Sequence, residues 1–130
     1  MIENIKPGLV GEADETVSSS RTAAFFGSGL VAAYGTPAMV ALMENATVAA
    51  LHKYLGPGQT SVGTEVCIKH IAATPVGMHA RSRATVTAVD GRQVTFQVEA
   101  WDDREKIGEG TVKRFVVDES RFNDRLEKKA

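Results

Sequence analysis

Two hydrophobic periods divide the chain. From Gly35 to Leu55 (GTPAMVALMENATVAALHKYL) apolar residues at Met39, Leu42, Met43, Ala46, Ala50, Leu51, Tyr54 and Leu55 recur at the three-and-four spacing of one long helix. Thr36 reads as its N-cap and Pro37 as its first helical residue, because proline's fixed φ suits a helix start. Gly56-Pro57-Gly58 ends it. Beyond Gly58 the period becomes two. In SVGTEVCIKHIA strict alternation places Val62, Thr64, Val66, Ile68 and His70 on one strand face, and Gly63, Glu65, Cys67, Lys69 and Ile71 on the other. Thr74-Pro75-Val76-Gly77 breaks that strand. Met78 to Val89 and Arg92 to Trp101 form the next two, joined at Asp90-Gly91 by a two-residue type I′ hairpin. Val94, Phe96, Val98 and Ala100 share one face of the second. Ile107 to Val117 is the last strand. Ahead of the helix, Gly8 to Ser18 reads as a strand, Ser19 to Ser28 as a loop or helical turn, and Leu30 to Tyr34 as a short strand. Asp118 to Lys129 reads as a short, charged, amphipathic helix or a frayed tail.

A strand, a greasy helix and then a meander of about four strands describe an α+β, two-layer design: one central helix lying on one antiparallel sheet. The 130 residues form a single domain, residues 1–130, able to build only a modest core. The uncovered side or edge of such a sheet favours a dimer.

Composition narrows the function classes. A net charge of −1 with mixed signs argues against nucleic acid or an anionic membrane surface as partner. One cysteine, Cys67, allows no internal disulfide and fits a reducing cytoplasm; on the strand pattern it is a buried, inert thiol facing away from His70. The N-terminus shows no apolar signal region. Thr22 to Met43 carries no charge, but Gly27, Gly29, Gly35 and Pro37 interrupt it, so it reads as loop, strand and helix start rather than a membrane span. His52 and His79 have no partners at metal spacing, and no phosphate-loop pattern is present, so neither metal nor cofactor is expected.

The blocks GTPAMVALMENA, LGPGQTSVGTEVCIKHIAATPVG, VDGRQVTFQVEAWD and IGEGTVKRFVVD, in this order and spacing, resemble the hot-dog-fold acyl-CoA thioesterases of the fluoroacetyl-CoA thioesterase type, over about residues 8 to 125. The resemblance implies a helix wrapped by a sheet, a homodimer or tetramer with active sites at the subunit interface, and an acyl-CoA substrate. It places the family's catalytic threonine on Thr36, its helix glutamate on Glu44 and its strand histidine on His70. A glycine beside the acyl group falls on Gly63, and a last-strand arginine near substrate on Arg114. The family's lid carries phenylalanines just upstream of the threonine. Here that region reads AAFFGSGLVAAYG, with Phe25 and Phe26 earlier and Gly27 and Leu30 nearer, so the resemblance implies a thioesterase but does not carry over the selectivity for fluoroacetyl, and the acyl group stays open.

Each of these residues also has an ordinary structural reading. Thr36 caps a helix, Glu44 is a solvated helix residue, His70 a hydrogen-bonded core histidine, Gly63 a bulge and Arg114 half of an ion pair. Thioester hydrolysis gives them a joint one: hydroxyl, base and orienting acid. Thr36 and Glu44 lie about 12 Å apart along a helix, a gap that the glutamate's lean toward the N-terminus and one imidazole between them would fill; a dimer could instead mix residues from two chains. The rival readings are a non-catalytic acyl-CoA-binding module on the same fold, and a hot-dog dehydratase or hydratase, which would need a histidine that the helix lacks before His52.

Overall fold

The computed structural model describes residues 2–130. Five strands, β1 (Val10–Thr16), β2 (Gln59–His70), β3 (His79–Asp90), β4 (Gln93–Trp101) and β5 (Lys106–Asp118), form one antiparallel sheet in the order β1-β3-β4-β5-β2. A single turn α1 (Ala23–Phe26) precedes the long helix α2 (Thr36–Leu51), and α3 (Glu119–Lys129) closes the chain. The expected α+β arrangement of one helix on one antiparallel sheet is present.

Helix α2 buries Ala38, Met39, Leu42, Met43, Ala46, Thr47, Ala50 and Leu51. It lies against the inner residues of the sheet, among them Val86, Val94, Phe96, Val98, Ala100, Ile107 and Val112, all 0–1 % exposed. On the β1–β3 side the fit is close because the sheet residues there are small: Ala80, Ser82 and Ala84 are buried, and a Cβ added at Gly11 would overlap the Ala46 carbonyl and the Ala50 amide. Backbone approach of that kind is what a glycine in a strand permits.

Local readings shift in four places. Gly35, not Thr36, is the N-cap, and Thr36 is the first residue of α2; the threonine hydroxyl is therefore free of the capping role. The helix ends at Leu51 and passes into a 3₁₀ turn at His52–Tyr54 before the Gly-Pro-Gly stop. Leu30 to Tyr34 is not a strand; Ala33 and Tyr34 each make an isolated bridge, to Pro75 and Thr22. In the β3–β4 hairpin Asp90 pairs with Gln93, so the loop residues are Gly91 and Arg92. Gly91 has φ +60° while among the described residues no non-glycine has positive φ, Arg92 included, the signature of a type II′ rather than a type I′ turn.

The uncharged stretch Thr22 to Met43 is divided among α1, a loop and the first half of α2. Among the described residues no helix is long and apolar enough to cross a membrane. The C-terminal segment is a full helix, α3, with no buried residue.

Candidate active site

Strand β2 carries the decisive irregularity. Gly63 pairs with Arg114 and Glu65 with Lys113, leaving Thr64 as the extra residue of a β-bulge. A bulge moves the alternation by one. Val66, Ile68 and His70 face the helix as expected, but Val62 and Thr64 turn to the outer face and Gly63 joins His70 on the inner one, across from the buried Arg114. Strict alternation had put Gly63 and His70 on opposite faces.

Two groups of side chains result. At the His70 end, Thr36 Oγ1 and His70 Nδ1 are 2.8 Å apart, a hydrogen bond between the first residue of α2 and the last of β2. Burial holds the His70 pKa below its ordinary value, with the Ala72 backbone offsetting part of the effect, so the imidazole is neutral near pH 7. Its Nε2 is buried and has no hydrogen-bond partner among the described residues. At the Gly63 end, Arg114 Nη1 donates to Glu44 Oε2 at 3.2 Å, its Nε donates to Ser61 Oγ at 2.9 Å and its Nη2 to the Ser61 carbonyl at 3.1 Å. Desolvation draws the Arg114 pKa down and Glu44 opposes it, which leaves a charged guanidinium. The Glu44 carboxylate sits directly over Gly63, where any side chain would displace it.

All five candidate residues thus lie along the seam between α2 and β2, but the structure divides them. Thr36 meets His70; Glu44 meets Gly63 and Arg114. The single imidazole expected to bridge Thr36 and Glu44 within one chain does not do so, because Glu44 is engaged by Arg114. From Gly63 to His70 the strand rises six ladder steps, roughly 20 Å.

The threonine–histidine pair is fixed from behind by contacts that the sequence pattern did not reveal. The Tyr34 hydroxyl donates to the Glu15 carboxylate, which also takes Arg21 Nε at 2.9 Å. Burial and that carboxylate raise the Tyr34 pKa far above the ordinary phenol range. Tyr34 N donates to the Thr74 carbonyl at 2.8 Å, and Thr74 Oγ1 donates to the buried Asp102 at 2.8 Å. Burial pushes the Asp102 carboxyl up, but the amides of Arg104 and Glu105 and the Thr74 hydroxyl together hold it below the usual range. The segments on both flanks of the pair are therefore each tied to an acid, Tyr34 to the half-buried Glu15 and Thr74 to the buried Asp102. Ahead of Thr36, Phe25, Phe26, Leu30 and Val31 are exposed, Leu30 at 99 %. Cys67 is exposed rather than buried, since β2 is an edge strand and its outer face has no cover.

The family model described as fluoroacetyl-CoA-specific thioesterase matches residues 17–120. The chain belongs to that family. It is 41 % identical over 96 residues to the fluoroacetyl-CoA thioesterase of Streptantibioticus cattleyicolor, covering 74 % of this chain and 69 % of that one. The structure of the fluoroacetyl-CoA thioesterase FlK superposes with a TM-score of 0.92 at 32 % identity, covering 98 % of both chains. A Thermus thermophilus thioesterase superfamily member superposes at 0.89 with 25 % identity, over 95 % of this chain and 92 % of that one. The fold is the hot-dog thioesterase fold, and as a family member the chain is an acyl-CoA thioester hydrolase rather than a non-catalytic binding module.

Proposed function

We propose that the chain hydrolyses a small acyl-CoA thioester without a metal or cofactor, as a cytoplasmic homodimer in which each site takes residues from both copies. Thr36 is the nucleophile or holds the attacking water, His70 is the base, Glu44 orients the imidazole, and Gly63 and Arg114 bind the acyl end. The 2.8 Å contact between Thr36 Oγ1 and His70 Nδ1 carries the reading. A neutral imidazole with its proton on Nε2 accepts the threonine hydroxyl's proton at Nδ1 as the oxygen, or a water beside it, adds to the thioester carbonyl. Collapse of the tetrahedral intermediate expels the coenzyme A thiolate, which takes up that proton; where the threonine oxygen was the nucleophile, a water then gives a proton to His70 and adds to the acyl-threonine ester, and Thr36 leaves with that proton as the free acid is released.

The imidazolium formed in this way needs an acid at Nε2, and that nitrogen is the buried one without a partner. Strand β2 is a sheet edge twelve residues long. Antiparallel pairing of two copies about Cys67, with Thr64 passed over as the bulged residue, sets Val66 opposite Ile68 and each His70 opposite Gly63 of the other copy with the inner faces matched, and so brings it beside the other copy's Glu44 and Arg114. This pairing also covers a long exposed edge, which soluble proteins rarely leave open. The exposed, unpaired Cys67 thiol suits a reducing compartment.

Thiol release over a panel of acyl-CoA substrates tests the activity; turnover of none of them, or an unimpaired His70→Ala enzyme, overturns it. Mixing tests the shared site. His70→Ala and Glu44→Gln, each inactive alone, are expected to regain about a quarter of wild-type activity after subunit exchange, since half the dimers then hold one intact site. No recovery in exchanged dimers places both residues in one chain's site.

A further inference from the structure

The outer face of the sheet carries a cavity that thioester chemistry leaves unused. It measures about 420 Å³ and lies between the outer residues of β2 and β5 and the helix α3. Val62, Phe115 and Phe122 give it an apolar floor, and Arg92, Arg121 and Arg125 stand around it. Phe115 is 41 % exposed. Arg121 and Arg125 are four apart on α3 and so point the same way. Asp118 reaches Arg92 at 3.6 Å and Arg121 at 3.7 Å, cancelling one of three positive charges while holding two guanidiniums in place. Arg125 has no ion-pair partner among the described residues. An aromatic floor under a surplus of guanidinium suits a ligand that is flat and apolar at one point and multiply anionic at another.

We infer that this cavity holds the adenosine 3′,5′-bisphosphate end of coenzyme A, an assignment that rests on the acyl-CoA site proposed above. A route joins the two. On the helix side, a second cavity of about 320 Å³ is lined by Val48, His52, Gln59, Ser61 and Glu119. Ser61 is the residue that Arg114 grips beside Gly63. Glu119, the first residue of α3, is tied by its amide to the Gly58 carbonyl at 2.8 Å and follows Asp118 of the outer cavity directly, so the two cavities lie on either side of the corner where β2 begins and β5 ends. The pantetheine arm runs from Gly63 past Ser61 and Val48 to that turn; the purine lies on Phe115 and Phe122, and the phosphates meet the arginines.

The double variant Arg121→Glu/Arg125→Glu tests this, on a helix that buries nothing. Kinetics are measured with one acyl group carried on coenzyme A and on N-acetylcysteamine, which lacks the nucleotide. KM for the CoA thioester is expected to rise about tenfold or more, the range of one to two charge-assisted contacts. Little change is expected in kcat or with the truncated thioester, and the gap should narrow with added salt. An unchanged KM for the CoA thioester overturns the assignment, as does a change confined to oligomeric state, which would make the arginines and phenylalanines a seat for another copy. Calorimetry with adenosine 3′,5′-bisphosphate alone decides independently of turnover: binding to wild type that the variant loses supports the cavity, while no binding, or equal binding, refutes it. Should wild type hydrolyse neither thioester, the catalytic reading fails and the calorimetry still judges the cavity.

Discussion

The two long sides of helix α2 are built to opposite ends. Toward β1 and β3 the helix is pressed onto Gly11, Ala80, Ser82 and Ala84, its own Ala46 and Ala50 are at most 1 % exposed, and no room remains for a methyl group at Gly11. Toward β2 the same helix stands off. Thr36 and Gly63 are exposed, Glu44 is half-buried, and Val48 and Val66 are 44 % and 40 % exposed. The first seam is closed by small residues and holds the fold. The second is left open and keeps its polar groups, which is where the proposed function places a substrate and a second copy. Stability and chemistry are thus divided between two faces of one helix, and variants on the two sides should fail in different ways.

The largest expected effect is on the open side. His70→Ala removes the proposed base and is expected to lower kcat by about 10²- to 10⁴-fold, while the denaturant midpoint moves little, since the ring leaves one hydrogen bond and an unpaired nitrogen behind. A midpoint that falls as far as that of a core variant would show that this seam, too, carries the fold. Next is the closed side. Gly11→Val drives two methyl groups into the backbone of α2, and overpacking with no flexible neighbour to yield is expected to cost about 3 kcal/mol of stability. Urea unfolding measures it, and kcat per folded molecule should survive. Full stability in that variant would mean that the seam can open at no cost.

How far this division could be read in advance depends on what each feature is made of. The helix was legible because Pro37 and the Gly56-Pro57-Gly58 run punctuate it and its apolar residues keep period. The face of His70 was legible because β2 is regular from Glu65 onward. Alternation puts Gly63 on the wrong face because one bulged residue, Thr64, shifts the count, and nothing in Val-Gly-Thr-Glu marks which residue bulges. The hairpin was located, but its loop lay one residue further on, at Gly91-Arg92. Alternation predicts a buried Cys67 because it reports faces and not strand order; only the topology makes β2 an edge. The Glu44–Arg114 pair depends on register between residues seventy apart in the chain, which local pattern does not contain. Thr36, Glu44, His70, Gly63 and Arg114 were named together through family resemblance, and the division into two groups came from the structure.

A smaller effect probes the far end of the open seam. In Gly63→Ala the new methyl group meets the flexible tip of Glu44, which can swing aside. Stability should hold, but the carboxylate and Arg114 leave their positions, and a displacement of about 1 Å in a reacting group can cost up to about a hundredfold. A loss of about tenfold in kcat/KM is expected. Gly63→Ala with full activity would remove Glu44 and Gly63 from the site and leave the threonine–histidine pair to act alone.

The smallest effect is a matter of pH, and it belongs to one side only. The closed seam of Gly11, Ala46, Ala50 and Ala84 has nothing to titrate. The open seam has His70, whose folded-state pKa lies below 6.5 because burial penalises the imidazolium. As the proposed base it works only when neutral, so kcat/KM should be flat near neutrality and fall on the acid side with a midpoint below 6.5. The same shift bears on folding. Between 6.5 and the lower folded value, the unfolded chain binds a proton at this position that the folded chain does not. Stability contributed by the neutral ring is therefore present above 6.5 and is lost as pH falls toward the folded pKa. His70→Gln should abolish both the acid limb and that share of the stability loss, while Gly11→Val, at its lower overall stability, should keep the pH dependence of the parent. If kcat/KM instead falls off above 6.5, the imidazole is more easily protonated in the folded protein than free, and burial cannot be what sets the base.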